Sequence, residues 1–562
     1  MKQIIECVPN FSEGRNNKVI QKLANEIKSI EGVSLLNVDP GKATNRSVFT
    51  FVGEPEKVID AAFLAIKLAS EIIDMRNHKG EHPRMGSTDV CPLIPIQNIS
   101  MKEVIYYSNK LAKKVGNELN IPVYLYENSA KIHKRSNLAY VRSGEYEALK
   151  SKLLNDEWKP DYGPTDFKLI ERYGATAICA RDFLIAYNIN LNTTSTRRAN
   201  AVAFDIREKG RLKRKNNLLT GEILKDKNGN NIWTPGTLKG VKAIGWYIKE
   251  YGICQVTMNI TDLKSTPLHQ AFDETEKKAM KRGLRVTGSE LIGLVPKKVL
   301  IDAGLYFIKK QKRSTGIPEK EIIKIAIKTL GLNEISEFNP DKRIIEYLIN
   351  NESKNKLINL SLKDFTDETS TDSPTPGGGS VSAYIGALGA SLATMVANLS
   401  AHKRGWDEKW EEFSIYATKG EELKNKLINL VDRDTESFNN ILSSYKLPEN
   451  SDDEIKYKQE LIIQNTKNAI LIPFEIMELS YESFEIIKKM AMIGNPNSIS
   501  DAGVAALCAR SAVIGAYLNV KINCYDLKDI NFKVNILKKS AEIVQKTIKK
   551  EKKILDIVNK LI

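Results

Sequence analysis

In the first three hundred residues one order of segments occurs twice, and nothing else restricts the possible folds as strongly. Lys2–Val8 reads as an apolar strand, and Asn16–Ile30 carries helical spacing through Val19, Ile20, Leu23, Ile27 and Ile30. Val33–Asp39 and Arg46–Gly53 are rich in β-branched residues and are separated by Pro40-Gly41, the pattern of two strands. Glu54–Asp74 follows as a helix with Pro55 in its first turn, then Asp89–Ile96 as a strand. This β-α-β-β-α-β order predicts the split βαβ, or ferredoxin-like, arrangement. A helix (Met101–Leu119) and a strand (Ile121–Tyr126) extend it. After residue 182 the order returns as strand Phe183–Leu191, helix Ser195–Glu208, strands Val241–Ile248 and Gly252–Ile260, helix Pro267–Arg282 and strand Val286–Val295. Two ferredoxin-like (βαββαβ) α/β-sandwich subdomains are expected, 1–181 and 182–342, with a ligand cleft between them.

Past Leu330 the grammar changes. A connector at 343–352 leads into a segment, 353–562, where strand signals largely vanish. Helical stretches fill it: Ser380–Leu399, Trp406–Ser443, Asp452–Met492, Ser500–Leu518 and Val534–Ile562. An all-helical bundle domain is expected there, making the chain multidomain, α+β and then all-α.

Length and composition fit such a chain: 562 residues, 42% hydrophobic and 27% charged, enough for several cores. Glu6 interrupts the N-terminus where a signal peptide would stay apolar, and no apolar run is expected to approach the ~20 residues that span a bilayer. A cytoplasmic protein without a membrane partner is expected. The six cysteines are scattered with no CxxC pair, which argues against a disulfide framework and a metal site. The net charge of +15 is densest at Lys209–Lys215. Lysine exceeds arginine, no aromatic residues interleave and no nucleic-acid motif is present, so a solvated loop accounts for the run better than nucleic-acid binding. A polyanionic small molecule would also suit a basic surface.

Residues 77–88, Asn-His-Lys-Gly-Glu-His-Pro-Arg-Met-Gly-Ser-Thr, carry the clearest chemistry. His78 and His82 lie in a loop shaped by Gly80, Pro83 and Gly86, between the cations Lys79 and Arg84. An imidazole on a stiffened loop beside cations suits proton transfer next to an anionic substrate. In the second half Gly377-Gly378-Gly379-Ser380 opens a predicted helix, presenting free backbone amides and the positive helix end. The alternative there is a flexible linker followed by a Ser-capped helix. Asp432 and Asp434 stand about 200° apart around a later helix, so only one faces a cleft.

Taken in order, these segments resemble the formiminotransferase-cyclodeaminase family. The resemblance runs through Val8–Gly14, Thr44–Val48, the His78–Thr88 loop, Gly174–Thr176, Ala180–Ala186 and Ile244–Tyr247. It continues through Pro376–Ala383, Val431–Asp434 and Gly494–Asp501, so that it covers nearly the whole chain. It implies a folate enzyme of histidine degradation, a homo-oligomer whose small-molecule substrates are N-formimino-L-glutamate and tetrahydrofolate, the latter a co-substrate that is sometimes polyglutamylated. It also implies a catalytic role for His82. Lys79, Arg84 and Arg46 become candidates for substrate carboxylates, Asp39 for orienting His82, and Gly163, Pro164 and Gly174 for the folate loop. In the helical half it implies Asp434 as the catalytic carboxylate, with Asp432 as the competing assignment. Gly377, Gly378, Gly379, Ser380, Asn495, Ser500 and Asp501 are then candidates to line the pterin pocket. A methenyltetrahydrofolate cyclohydrolase activity in the helical half, or a non-catalytic folate-binding half, are the alternatives.

Overall fold

A computed structural model describes residues 3–42, 44–80, 82–217, 221–349, 356–525 and 527–562. Lys2 of the first expected strand, Glu81 of the histidine loop and residues 350–352 of the connector lie outside the described residues. The chain divides into two compact units. One holds Met1–Leu300 and Leu330–Asn351, the other Ile301–Thr329 and Glu352–Ile562.

The first unit has mixed α/β sheets. Its elements begin β1 (Ile4–Cys7), β2 (Asn10–Phe11), α1 (Asn17–Lys28), β3 (Val33–Gly41), β4 (Arg46–Gly53), α2 (Pro55–Ile72) and β5 (Thr88–Gln97). They continue α3 (Met101–Glu118), β6 (Val123–Glu127) and β7 (Thr176–Ala180). β1 and β2 are two pieces of one strand line, each antiparallel to β4 on one side and β5 on the other. β3 pairs outside β4, and β7 then β6 extend the sheet in parallel beyond β5. Apolar faces of α1, α2 and α3 fill one side through Leu23, Ile27, Ile66, Leu111 and Val115. The 138–173 segment covers the other side of β5, β6 and β7 through Val141, Leu149 and Ile170. β7 has no counterpart among the expected strands.

A second sheet holds β8 (Ile185–Leu191), β9 (Val241–Ile248), β10 (Ile253–Ile260) and β11 (Val286–Ile292), ordered β9-β10-β8-β11 and antiparallel throughout. Helices α4 (Thr196–Ile206) and α5 (Leu268–Met280) pack on it through Ala199, Val202, Leu268 and Phe272.

Glu6 faces inward from β1 and is 3% exposed. Burial, opposed by Arg181 and aided by Glu346, raises its carboxyl to about 7 from an ordinary 4.5. A raised value contributes stability below the unfolded value, and that stability is lost as pH rises through the folded one. Glu6→Gln is therefore expected to raise the melting temperature of this unit at pH 8, by a free energy of order 3 kcal/mol, and to leave it nearly unchanged at pH 4. Calorimetry of the full chain at both pH values checks this.

The second unit is helical: α6 (Gly378–Ala401), α7 (Trp410–Tyr445), α8 (Asp452–Ile493), α9 (Ile499–Asn523) and α10 (Ile530–Leu561). α6 packs against α7, α8 and α9. Small residues (Ala383, Gly386, Ala387, Ala390, Ala393, Ala397) form its buried face and let the neighbours approach closely. Contrary to the expectation that no stretch is long and apolar enough to span a bilayer, two are by length and composition: Gly378–Ala401 and Pro496–Asn523. In α6 that apolarity serves the bundle core, since 61% of its most apolar window is buried. Residues 314–316 also lie on this unit: Thr315 Oγ1 is 2.9 Å from Thr418 Oγ1, and Asn398 Nδ2 donates to the Gly316 carbonyl at 2.7 Å.

Candidate active sites

His82 lies on the loop joining α2 to β5, and Arg46 opens β4 beside it. The Arg46 guanidinium is the hub of a buried cluster. Its Nη1 donates to Asp89 and stands 2.9 Å from His82 Nδ1, while Nε and Nη2 donate to Asn10 Oδ1 at 3.1 and 2.9 Å. Asp89, on β5, is wholly enclosed. It also accepts from Arg142 Nε and Nη2 at 3.2 and 2.5 Å and from the Met85 N–H at 3.1 Å. One carboxylate thus faces two guanidiniums and the cluster keeps a positive surplus. Arg142 Nη1 has no protein partner among the described residues, which leaves a donor pair for a substrate carboxylate. The sequence reading did not single out Arg142, Asp89 or Asn10.

His82 Nδ1 is also 2.7 Å from the carbonyl of Pro83. One nitrogen cannot donate to that carbonyl and accept from Arg46 at once. With Nδ1–H on Pro83, the Nε2 lone pair is left to accept a proton. Burial, and then the Arg46 charge, lower the His82 pKa from 6.5, so the ring is neutral at pH 7. A reaction that uses His82 as its base is accordingly expected to keep its rate as pH falls, with an acid limb centred below 6.5, measurable as kcat/KM against pH.

His78 is differently placed. Its Nε2–H donates to the Asn45 carbonyl at 2.8 Å and its Nδ1 accepts from Arg84 Nε at 3.3 Å, so both nitrogens are engaged within the loop. Arg84 is held by Glu145 Oε2 at 3.0 Å and by both Glu147 oxygens at 2.8 and 2.7 Å. These pairs make it a brace for the loop. Lys79 is exposed, and its carbonyl accepts from Asn45 Nδ2 at 3.1 Å. Asp39 is exposed near the end of β3, and the hydrogen-bonding neighbours of the His82 ring are Arg46 and Pro83 in its stead. Gly174 (φ +73) abuts the histidine loop: a Cβ there would stand 2.3 Å from the Met85 carbonyl oxygen, and Ser87 N–H donates to Tyr173 O at 2.7 Å. Gly163 (φ +92) and Pro164 begin the same 163–174 loop, Gly163 lying against Ile121 and Pro122.

In the helical unit the two aspartates separate cleanly. Asp432 Oδ1 accepts the Leu357 N–H at 2.7 Å, a capping role. Asp434 points into the start of α6, where Ser380 Oγ is 3.2 Å from its Oδ2. A Cβ on Gly379 would stand 2.2 Å from the Asp434 carboxylate, so only glycine admits it. The expectation that the Gly377–Ser380 amides await a substrate is corrected in part: the Ser380 N–H and hydroxyl serve the protein's own carboxylate, while Gly377 and Gly378 flank it. Burial nonetheless outweighs those hydrogen bonds and raises the Asp434 pKa. A carboxyl poised in this way both takes and returns a proton.

Asn495 and Asp501 lie elsewhere. Asn495 N–H donates to Ser400 Oγ at 2.8 Å, and Ser400 and Ser380 occupy opposite ends of α6, about 30 Å apart at ~1.5 Å per residue. Asn495 caps the short turn before α9, in whose first turn Ser500 and Asp501 sit. Within one chain they do not share a pocket with Asp434. Among the described residues no three of His, Cys, Asp and Glu are grouped to hold a metal ion.

Three family profiles match in the order of these sites. "Formiminotransferase domain, N-terminal subdomain" covers residues 4–181, "Formiminotransferase domain" 186–350 and "Formiminotransferase-cyclodeaminase" 361–542. The chain is 39% identical to the formimidoyltransferase-cyclodeaminase of Rattus norvegicus over 97% of both chains. It belongs to the formiminotransferase-cyclodeaminase family. Its first part is also 42% identical to the glutamate formimidoyltransferase of Streptococcus pyogenes serotype M1, over 55% of this chain and 94% of the relative. Its last part is 34% identical to the methenyltetrahydrofolate cyclohydrolase of Methylorubrum extorquens, over 32% of this chain and 86% of the relative. Proteins similar to the first and to the last part of this chain therefore occur separately, the former named for formimino transfer and the latter for hydrolysis of the methenyl compound.

Proposed function

We propose that the chain transfers the formimino group of N-formimino-L-glutamate to tetrahydrofolate, giving glutamate and 5-formiminotetrahydrofolate. It then closes that product to 5,10-methenyltetrahydrofolate with release of ammonia. The observation that carries this reading is full-length similarity to formimidoyltransferase-cyclodeaminases, with a neutral imidazole in one unit and a raised carboxyl in the other.

In the first step N5 of tetrahydrofolate attacks the formimino carbon and its proton passes to His82 Nε2. The imidazolium formed lies 2.9 Å from the Arg46 guanidinium, whose charge makes it a ready acid. It returns the proton to the glutamate nitrogen as the carbon–nitrogen bond breaks. Arg142 holds a glutamate carboxylate, and the 163–174 loop borders the folate. In the second step N10 attacks the same carbon, Asp434 takes its proton and delivers it to the departing ammonia. Enclosure favours the neutral carboxyl that delivery needs.

Each set of four strands ordered 2-3-1-4 supports a ferredoxin-like reading of the two transferase subdomains, 1–181 and 182–342. The connector at 343–352 and the deaminase domain at 353–562 complete the division. We take the enzyme to be a cytoplasmic homo-oligomer with its cysteines reduced.

The full chain mixed with formiminoglutamate and tetrahydrofolate tests the proposal: glutamate, ammonia and methenyl absorbance should appear together. Similarity to the cyclohydrolase favours one other reading, hydrolysis of the methenyl compound. Absence of ammonia with loss of methenyl absorbance would establish that reading instead.

A further inference from the structure

The second α/β sheet carries an excursion, residues 207–236, that neither reaction uses. Its arms close where Arg211–Leu212 pairs antiparallel with Trp233–Thr234, and Lys213 N–H donates to Ile232 O at 2.8 Å. Gly210 at the base has φ +67, and a Cβ there would stand 1.8 Å from the Thr234 carbonyl oxygen. The Lys209–Lys215 run, expected as a solvated, hairpin-like insertion, runs along one arm of this paired hairpin, with Lys209, Lys213 and Lys215 exposed.

Between this hairpin and the C-terminal ends of α4 and α5 lies a cavity of about 630 Å³. Its lining includes Arg207, Arg211, Lys213, Arg214 and Arg282, with Asp205 as the one carboxylate. Asp205 is already spent: Arg211 donates to Oδ1 and Arg282 Nε to Oδ2 at 2.7 Å. Five cations less one carboxylate leave a surplus of four. Cations beside helix C-terminal carbonyls account for Arg207 and Arg282. They do not account for Arg211, Lys213 and Arg214, which the hairpin brings in. Two aromatic faces share the space, Phe204 beneath the Arg207 guanidinium at 4.0 Å and Trp233 beneath Lys209 at 4.3 Å. Burial, and then the charge of the neighbouring Arg211, lower the Arg207 pKa.

We infer that this cavity binds a nucleoside di- or triphosphate, with the phosphates on Arg207, Lys213 and Arg214 and the base against Trp233. Guanidinium forks match phosphate oxygens bidentately, and the cavity is within the usual size of small-ligand sites, roughly 300–1,000 Å³. A triphosphate concentrates three to four charges at one end of the molecule, the density that this surplus calls for. γ-Linked carboxylates spread theirs along a chain.

Titration calorimetry of the full chain, at about 0.15 M salt to screen loose surface attraction, tests this with ATP, ADP, pyrophosphate, adenosine and tetra-γ-glutamate. ATP or ADP should bind in the micromolar range, pyrophosphate should compete, and adenosine should not bind measurably. Lys213→Gln combined with Arg214→Gln should weaken ATP at least tenfold while both enzymatic rates stay unchanged, since neither side chain holds Asp205. Trp233→Leu should weaken ATP but not pyrophosphate. Absence of ATP and ADP binding at millimolar concentration, unchanged ATP affinity in the double variant, or tighter binding of tetra-γ-glutamate than of ATP overturns the assignment.

Discussion

Alanine at position 82 is expected to lower formimino transfer by roughly two to four orders of magnitude, while ammonia release from supplied 5-formiminotetrahydrofolate continues unaltered. The imidazole is the group beside the Arg46–Asp89–Arg142 cluster with a nitrogen left over after its internal hydrogen bonds are made. His78 has none to spare, since Asn45 and Arg84 take both of its nitrogens. His78→Ala should therefore loosen the loop and raise KM more than it lowers kcat. Separate assays of glutamate and ammonia production, with a circular dichroism spectrum of each variant, decide the matter. A folded His82→Ala chain with substantial transfer would remove His82 from the proton path.

Asparagine at position 434 should have the converse effect, stopping ring closure so that 5-formiminotetrahydrofolate accumulates, with a loss again of about two to four orders of magnitude. The same change should raise the melting temperature of the helical unit at pH 8. The sign follows from burial: a carboxyl whose folded value is raised contributes stability at low pH and loses it as pH climbs through that value, so an uncharged isostere removes a cost. Gain of stability with loss of activity distinguishes proton transfer from packing. Gly379→Ala reaches the same endpoint by another route, because its methyl takes the space of the carboxylate. Asp432→Ala should instead lower stability with ring closure retained, since Asp432 caps the Leu357 N–H. Blocked closure in a folded Asp432→Ala chain, with Asp434→Asn active, would reverse the assignment.

Periodicity made the longer elements legible. The β-branched runs at 33–39 and 46–53 and the apolar stripe of α1 are local signals, and each became the element they indicated. β7 escaped because Thr-Ala-Ile-Cys-Ala is buried on both faces, and such a strand shows no alternation. At the sites, the sequence offered residues with conspicuous chemistry, such as Arg84 and Asp39, whereas pairing decides which charges are spent. Glu145 and Glu147, some sixty residues away, occupy Arg84, and Asp89 ties Arg142 to Arg46 across the sheet. No spacing rule brings those positions together. The Asp432–Asp434 ambiguity likewise yields only to a contact with Leu357, which lies about seventy-five residues earlier.

The crossing of residues 301–329 into the helical unit has a consequence for how the chain is made. Thr315 and Gly316 rest on Ser414, Ala417 and Thr418 of α7, which a ribosome completes more than a hundred residues later. At about 5–20 residues per second Thr315 and Gly316 wait roughly ten seconds for these partners. The residues of the other compact unit, Met1–Leu300 and Leu330–Asn351, are meanwhile already synthesised. A nascent-chain pull-down should find chaperone occupancy peaking after residue 330 emerges and falling once α7 is complete. A transferase cut from its partner at residue 351 should be least soluble because of this one stranded segment.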